Sequence, residues 1–361
     1  KDSSAQLTRG DGGACLSVNG EIKMIINIDQ ITSDLLFIGE KKREIKKRSA
    51  STSVANFLAN WDGPEKGFTR VIKLEKTLKG KEHIVITYNC LDPAFITRPI
   101  AAEAYSIICM SGTLTPLEMY KDLFNINAIG YEFKNPFPKT NRVDIIVPDT
   151  TTKFTARNDE MFEKIAAYCA SIVNSVPGNS IVFFPSYGLR DKINSYFGNK
   201  CERTVLFESP NLSKQEKAEL IDNFKGYKRH GAVLLAVSSG SFGEGIDLQD
   251  NLLKCVIVVG IPLDRPDLET RELISYYDQK FSRGWDYGYT MPAIIKCLQN
   301  AGRCIRSESD KGVIIFLDMR YIWESYFKCF PKDSNLRVSK DPVSLIKEFF
   351  DNNKSLLANK P

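Results

Sequence analysis

The chain has 361 residues, of which 43% are hydrophobic and 26% charged, and its formal net charge is +5. This composition is ordinary for a globular protein, and the length allows two domains with a sizeable core. It argues against a membrane protein, because no apolar run approaches the roughly 20 residues that cross a bilayer. The mild positive charge is compatible with a nucleic-acid partner but is too small to argue for one.

The nine cysteines are odd in number and include no CxxC pair. They are typical of buried, reduced thiols in an intracellular protein. Since only His83 and His230 accompany them, the sequence predicts no zinc or iron–sulfur site in this chain. The first residue is Lys1 rather than Met, so we expect a piece of a longer protein.

The first third of the chain is predicted to be helical and then to form paired strands. Helical patterns cover residues 31–48 and 51–61. The strand-like runs FTRVIKLEK and EHIVITYNC are separated by the turn-prone TLKGK, which predicts a hairpin. The apolar run YSIICMSGT (105–113) predicts a buried strand, and the proline-rich NPFPKTN (135–141) is the best internal boundary.

From residue 179 onwards, continuous apolar strands alternate with helices. The strands are SIVFFPS, TVLFES, AVLLAVSSGS, CVIVVGIPL and KGVIIFLDMRY, and the helical patterns include residues 266–281 and 291–306. Strands that are apolar throughout are typical of a parallel sheet with both faces covered. The sequence therefore predicts a doubly wound α/β domain.

Two loops follow apolar strands, at the sheet edge where open α/β sheets bind ligands. SGTLTP (111–116) is a tight loop of small and hydroxyl residues, although alone it equally fits an ordinary turn. SSGSFGEGIDL (238–248) adds glycines, which permit close backbone approach, and the carboxylates of Glu244 and Asp247. Within it, Phe242 is either a ring that stacks on a base or a packing anchor.

The segment QNAGRCIRS (299–307) is predicted to present three polar side chains on one helix face. Gln299, Arg303 and Arg306 are spaced by four and three residues, opposite an apolar stripe. One interpretation is a surface salt-bridge stripe with Glu308 and Asp310 as neighbours. The other is an arginine-finger arrangement, because planar guanidinium groups fit phosphate oxygens.

In their order and spacing these segments resemble motifs of the XPD group of superfamily 2 helicases, which also contains the DinG type. SGTLTPLEMY resembles motif III, the strand FFPSY motif IV, SGSFGEGIDL motif V and QNAGRCIR motif VI. The segments YNCLDPAFITRPI and NPFPKTNR agree as well. The match covers about residues 52–330, and archaeal XPD proteins are the most similar in their compactness.

The resemblance implies a RecA-like α/β fold with three segments. Residues 1–66 would be a helical remnant of the arch insertion, 67–134 the last edge of motor domain 1, and 135–361 motor domain 2 with motifs IV, V and VI. In that family ATP is clamped between two motor domains, and their closure moves single-stranded DNA in the 5′-to-3′ direction.

The resemblance also assigns roles to individual residues. Motif VI supplies arginine fingers and an orienting amide, motifs III and V link the nucleotide to the grip on DNA, and residues near motifs IV and V contact DNA. For Trp285 two alternatives stay open, contact with DNA and packing within the protein. The residues concerned are Arg303, Arg306 and Gln299 for catalysis; Ser111, Gly112, Thr113, Glu244, Gly245, Asp247 and Gly302 for nucleotide coupling; and Ser186, Tyr187, Phe242 and Trp285 for DNA.

Three family features are missing from the sequence. It has no G-x-x-x-x-G-K-[ST] phosphate loop, no DEAH-like box to hold Mg²⁺, and no cluster of four cysteines for the iron–sulfur cluster. ATP, Mg²⁺ and the iron–sulfur cluster are therefore expected of the parent enzyme, and this chain alone is predicted neither to hydrolyse ATP nor to unwind DNA.

The leading hypothesis is thus the C-terminal part of an XPD-type helicase acting in nucleotide excision repair. The alternatives are a non-catalytic RecA-like module that binds DNA or a partner, and a DinG-type helicase. Expected partners are single-stranded DNA and other repair proteins, with no membrane, and the chain is expected to be a monomer. We expect a cytoplasmic location in an archaeon and a nuclear one in a eukaryote.

Overall fold

A computed structural model describes most of the chain. The described residues are 7–10, 13–16, 28–43, 49–77, 80–243, 251–263, 265–331 and 334–358. The strands are β1 (Leu7–Gly10), β2 (Gly13–Leu16), β3 (Phe68–Lys76), β4 (Glu82–Cys90), β5 (Arg142–Ile146), β6 (Asn179–Phe184), β7 (Thr204–Phe207), β8 (Ala232–Val237), β9 (Leu253–Val259), β10 (Gly312–Leu317) and β11 (Leu336–Val338).

The helices lie between these strands. They are α1 (Ile28–Arg43), α2 (Ala50–Trp61), α3 (Ala94–Glu103), α4 (Leu117–Phe124), α5 (Asp159–Ser175), α6 (Tyr187–Phe197), α7 (Lys214–Gly226), α8 (Leu268–Phe281), α9 (Met291–Ala301), α10 (Glu324–Phe327) and α11 (Pro342–Ala358). None of the helices in the described ranges has both the length and the apolar character of a membrane span.

The chain divides into two compact units. Unit 1 comprises 1–107, 121–126 and 265–288, and unit 2 comprises the remaining residues. This division does not follow the predicted boundaries at residues 66 and 134. The reason lies in α8, which is far along the sequence but packs within unit 1.

Unit 1 is built on a four-stranded antiparallel sheet in the order β1-β2-β3-β4. The predicted hairpin is confirmed, since β3 and β4 pair from Phe68 opposite Cys90 to Lys76 opposite Glu82. The strands β1 and β2 were not predicted, because the sequence before residue 67 was interpreted as helical. That prediction holds for α1 and α2 only.

Helix α8 is held in unit 1 by polar contacts to the hairpin and the residues after it. Lys73 of β3 forms an ion pair with Glu269. The Oδ2 atom of Asp92 accepts hydrogen bonds of 2.7 Å from both Tyr276 and Lys280. Burial opposes ionisation of Asp92, but the hydrogen bonds from Lys280 and Tyr276 outweigh it and keep the pKa of this carboxyl below its ordinary value.

Unit 2 confirms the predicted doubly wound α/β domain. Its seven strands are all parallel, in the order β11-β5-β10-β9-β6-β8-β7. Every residue of β6, β8 and β10 is buried, as expected of central strands covered on both faces.

The core of unit 2 follows the period-two alternation of its strands. One set of alternate residues packs against α5, α6 and α11 in a single apolar cluster, whose strand members include Val182, Val233, Ile257 and Ile315. Their sequence neighbours are equally buried but lie outside that cluster, on the face where α9 contacts β9. Two covered faces make the sheet a rigid base for the loops at its edges.

Two predicted elements are wrong. Residues 105–110 form no strand, and Tyr105, Ile108 and Met110 are more than four-fifths exposed. An apolar run becomes a strand only when a neighbour accepts its backbone hydrogen bonds, and no described strand pairs with this one.

The second error is the length of the motif VI helix, which ends at Ala301 rather than at residue 306. Gly302 is its C-cap, and the next two amides donate to carbonyls three residues back, from Arg303 to Asn300 and from Cys304 to Ala301. The chain therefore tightens into turns just before the two arginines, and helical spacing no longer describes their directions.

Candidate functional site

Unit 2 contains a cleft of about 480 Å³ that brings together the predicted motif III and motif VI residues. The segments are distant in sequence, yet they line one cleft together with residues of β5 and β10. The predicted residues in its lining are Ser111, Gly112, Thr113, Gln299, Gly302, Arg303 and Arg306.

The motif III loop forms one side of the cleft through its own hydrogen bonds. The Ser111 hydroxyl accepts from the Thr113 amide at 3.2 Å and lies 3.3 Å from the Thr113 hydroxyl. Tyr120 of α4 donates to the Thr113 carbonyl at 3.2 Å. Gln299 of α9 completes the link by donating to the Thr113 hydroxyl at 3.4 Å. The amide of motif VI thus contacts motif III directly.

Arg306 has an exposed side chain that lines the cleft. Its backbone position is fixed, because the Arg306 and Ser307 amides both donate to Oδ2 of the buried Asp310 at 2.8 Å. The loop is also tied to the start of β5, where Asn141 donates to the Glu308 carbonyl at 2.7 Å. A fixed backbone that carries an exposed guanidinium suits the binding of a phosphate.

Arg303 differs from the predicted exposed finger. Its side chain is buried, and its Nη2 donates to the Gly243 carbonyl at 2.7 Å. The reason is the tightened turn after Ala301, which directs Arg303 to the turn after β8 and leaves Arg306 at the surface. Arg303 therefore connects motif VI to the beginning of motif V.

A buried amide makes a second connection between these motifs. Asn300 is fully buried, and its Nδ2 lies 3.5 Å from the Ser238 carbonyl. Gly243 must lack a side chain, because a Cβ there would collide with the Ser238 carbonyl. The predicted reason for the glycines was close approach to a ligand, whereas at Gly243 the close approach is to the protein itself.

Glu208 holds the turn after β8, and the sequence analysis did not single it out. It follows β7, is completely buried, and its two carboxylate oxygens accept from the Val237 amide at 2.8 Å and the Phe242 amide at 3.3 Å. A Cβ on Gly240 would collide with the same carboxylate. Lys217 of α7 donates to the Ser241 carbonyl from outside the turn. The turn at 237–243 is thus held by side chains of several elements.

The motif IV residues lie next to this turn. Ser186 is the N-cap of α6, and its hydroxyl accepts from the Leu189 amide at 3.3 Å, while its contact with DNA stays a prediction. Tyr187 is half-buried. Burial first, and then the carboxylate of Glu208, raise the pKa of its hydroxyl.

The two remaining DNA-contact predictions have different outcomes. Phe242 is 2% exposed, with Lys217 Nζ 5.7 Å from its ring centroid, so the stacking role is wrong and the packing role describes it. The Phe242 amide donates a hydrogen bond to the buried Glu208 carboxylate. Trp285 belongs to unit 1 and is 59% exposed, and its contact with DNA stays a prediction.

Three predicted motif V residues, Glu244, Gly245 and Asp247, lie outside the described residues. Their predicted role in nucleotide coupling therefore stays a prediction. Arg142, which the sequence analysis did not single out, lines the cleft and donates to Asp144 at 2.6 Å. A lone basic residue at a strand start gives no periodic signal that would have identified it.

The described residues do not fit an iron–sulfur cluster. They contain no group of three or more histidine, cysteine or acidic side chains that could hold a metal ion. Burial raises the pKa of both Cys297 and Cys304 to about 12, which disfavours the thiolate form that a metal ligand takes.

Comparison with known proteins finds a matching family model and similar proteins. Residues 169–335 match the family described as "Helicase C-terminal domain". The chain is 30% identical over 239 residues to the ATP-dependent DNA helicase XPD of Sulfolobus acidocaldarius, an alignment that covers 62% of this chain and 41% of that protein.

It is also 29% identical over 255 residues to the general transcription and DNA repair factor IIH helicase subunit XPD of Dictyostelium discoideum, which covers 66% of this chain and 33% of that protein. A solved XPD helicase shares the fold, with a TM-score of 0.61 and 23% identity over 90% of this chain and 57% of that one. The chain spans less than half the length of the two curated relatives.

Proposed function

Because the chain belongs to the XPD-type superfamily 2 helicases and carries their C-terminal helicase domain, we propose that it provides the second motor domain of an ATP-dependent 5′-to-3′ DNA helicase that acts in DNA repair. Single-stranded DNA is the proposed substrate, and ATP hydrolysis is the proposed energy source. Repair proteins are the proposed partners, in line with the repair-factor name of the Dictyostelium relative.

The observation that carries this proposal is the contact between motifs III and VI. Gln299 and Thr113 are 186 residues apart in sequence, and their side chains meet at the cleft that Arg306 lines. A phosphate in that cleft would face an exposed guanidinium, two hydroxyl groups and an amide. Such preorganised donors stabilise the charge that develops on a transferring phosphoryl group.

The burial of Arg303 and the exposure of Arg306 support different proposed roles for the two arginines. Arg306 supplies the guanidinium that faces the γ-phosphate, and Gln299 orients groups beside it. Through its hydrogen bond to the Gly243 carbonyl, Arg303 couples the nucleotide cleft to motif V, the segment with which the family binds DNA. The chain by itself is proposed to be inactive in ATP hydrolysis, since its sequence has no phosphate-cradling loop.

The test uses two proteins. The purified chain is assayed for ATP hydrolysis with and without single-stranded DNA, and only background hydrolysis is expected. A chimera, in which this chain replaces the matching segment of the Sulfolobus acidocaldarius helicase, is expected to hydrolyse ATP in a DNA-stimulated manner. DNA-stimulated hydrolysis by the isolated chain would contradict the proposed inactivity.

The alternative of a non-catalytic binding module is not favoured, because the curated relatives carry helicase names. It nevertheless predicts a different outcome in the same experiment. A folded chimera that binds single-stranded DNA as tightly as the archaeal enzyme, yet never hydrolyses ATP, would support the module over the motor.

A further inference from the structure

Two aromatic rings share one guanidinium group at the carboxyl edge of the unit 2 sheet. The guanidinium carbon of Arg190 lies 5.1 Å from the ring centroid of Tyr187 and 5.7 Å from that of Phe207. Both distances are within the range of cation–π attraction. Tyr187 begins α6 after β6, and Phe207 is the last residue of β7, so the pair joins two neighbouring βα connections.

The guanidinium between these rings is fixed in place. Arg190 is buried, and its Nε and Nη2 donate to Asp191 Oδ1 at 2.9 and 2.7 Å. Its Nη1 donates to the Glu208 carbonyl. With these donors used inside the protein, Arg190 is a rigid spacer rather than a free phosphate ligand. It therefore holds the two rings at a set separation with little loss of entropy when a ligand arrives.

The ring of Phe207 is partly open to solvent. It is 41% exposed at the end of the edge strand β7, directly before the fully buried Glu208. In the strand order, β8 lies between β6 and β7, so the ends that carry the two rings are roughly 10 Å apart at the usual strand spacing. This is also the edge where ligands of open α/β sheets bind.

We propose that Phe207, with Tyr187, forms a platform on which bases of a single nucleic-acid strand stack. The proposal rests on the function proposed above, and it adds Phe207 and the spacer Arg190 to the residues that recognise the strand. Every base has an apolar face that stacks on an aromatic ring, whatever the sequence. Two isolated rings are too small for a protein interface, which buries about 800 Å² on each partner, but they match single bases.

The platform also connects to the turn at 237–243. Glu208 follows Phe207 in sequence, lies beside the Tyr187 hydroxyl, and accepts from the Val237 and Phe242 amides of that turn. A base stacked on the two rings would therefore lie next to Glu208, which also holds the start of motif V. The geometry ties the occupancy of the strand site to the loop that Arg303 contacts.

The test measures binding of a fluorescein-labelled oligothymidine to the purified chain by anisotropy at low salt. Phe207→Ala is expected to weaken binding by about fivefold or more. The same substitution is expected to leave binding of an abasic oligomer of equal length unchanged, because only stacking is removed. Phe207→Trp is expected to restore the affinity for oligothymidine.

The matched control is Phe154→Ala. Phe154 is 80% exposed and has one arginine, Arg157, 5.7 Å from its ring centroid. It follows β5, and among the residues that the structure describes no second ring shares that arginine. It is expected to bind oligothymidine like the unmodified chain. Thermal unfolding of each variant checks that the fold is kept.

The outcomes separate this inference from the proposed function. If the unmodified chain binds and Phe207→Ala binds equally well, the platform is wrong while the proposed function stands. Equal losses for thymidine and abasic oligomers, or an equal loss in Phe154→Ala, would also overturn the platform. No binding by the unmodified chain at low salt would overturn the platform, whereas the proposed function depends on ATP hydrolysis by the chimera.

Discussion

The two ends of the motif VI segment show how differently neighbouring arginines are used. Arg303 is buried and donates to the Gly243 carbonyl, in a turn that Glu208, Lys217 and Asn300 also hold. Arg306 is exposed on a backbone that Asp310 fixes from below. The first region uses its polar groups within the protein, whereas the second keeps a charge ready for a ligand. Loss of function and loss of stability should therefore separate between them.

The largest effect is expected for Arg306→Ala. Removing an arginine finger lowers the rate of phosphoryl transfer by about 10³-fold or more, so the chimera should lose nearly all DNA-stimulated ATP hydrolysis. Its free energy of unfolding should stay within about 0.5 kcal/mol, because the side chain is exposed. Steady-state ATPase assays and urea unfolding check both results.

Arg303→Ala is the contrasting variant. It removes a charged hydrogen bond to a buried carbonyl, and such bonds contribute about 1.5–3 kcal/mol. An Arg303→Ala protein as stable as the unmodified chain, or an Arg306→Ala protein that keeps its full rate, would break the comparison between the two arginines.

The next largest effect is expected for Glu208→Ala. The substitution leaves the Val237 and Phe242 amides without their acceptor in a buried turn, and we expect a loss of about 2–4 kcal/mol in the free energy of unfolding. Glu202→Ala, an exposed acid just before β7, is the control and should change stability little. Similar urea midpoints for the two variants would show that the turn does not depend on Glu208.

Gly240→Ala sharpens the same point with a smaller effect. The new methyl group collides with the Glu208 carboxylate, and such overpacking costs about 1–3 kcal/mol. In the double variant Gly240→Ala with Glu208→Ala the collision is absent. Its loss in the free energy of unfolding should therefore be smaller than the sum of the losses in the two single variants. Strict additivity in urea unfolding would mean that the two residues do not interact.

The smallest effect concerns the pH dependence of unit 1. The pKa of Asp92 is lowered in the folded state, so its contribution to stability is present above the unfolded value of about 3.9 and disappears as the pH falls through the folded value. The unmodified chain should lose stability on acidification below about pH 4 more steeply than Asp92→Asn. Urea midpoints across this pH range measure the difference, and parallel curves would contradict it.

Much of unit 2 could be predicted from sequence because its signals are local. Uninterrupted apolar strands alternating with helices require a covered parallel sheet, and unit 2 has one. The resemblance picked out the Ser111–Thr113 loop, Gln299 and Arg306 as site residues, but that they line one cleft was seen only in the structure. No such signal identified Glu208, because a single acidic residue after an apolar strand is typical of any strand end.

Other errors arose where structure depends on distant partners. The run at 105–110 is apolar enough for a strand, but hydrophobicity alone does not provide a neighbour for its backbone. The helix pattern of α9 continues past Gly302 in sequence, while the hydrogen bonds do not. The amphipathic face of α8 predicts a helix, but it does not say which sheet that helix covers.

The position of α8 has a consequence for how the chain is made. During synthesis, Lys73, Thr87 and Asp92 emerge more than 180 residues before their partners on α8. The hairpin of unit 1 must therefore wait, with its α8-binding face uncovered, while β5 to β9 leave the ribosome. Contacts of such long range fold slowly, so unit 1 is expected to be completed late although its strands are synthesised first.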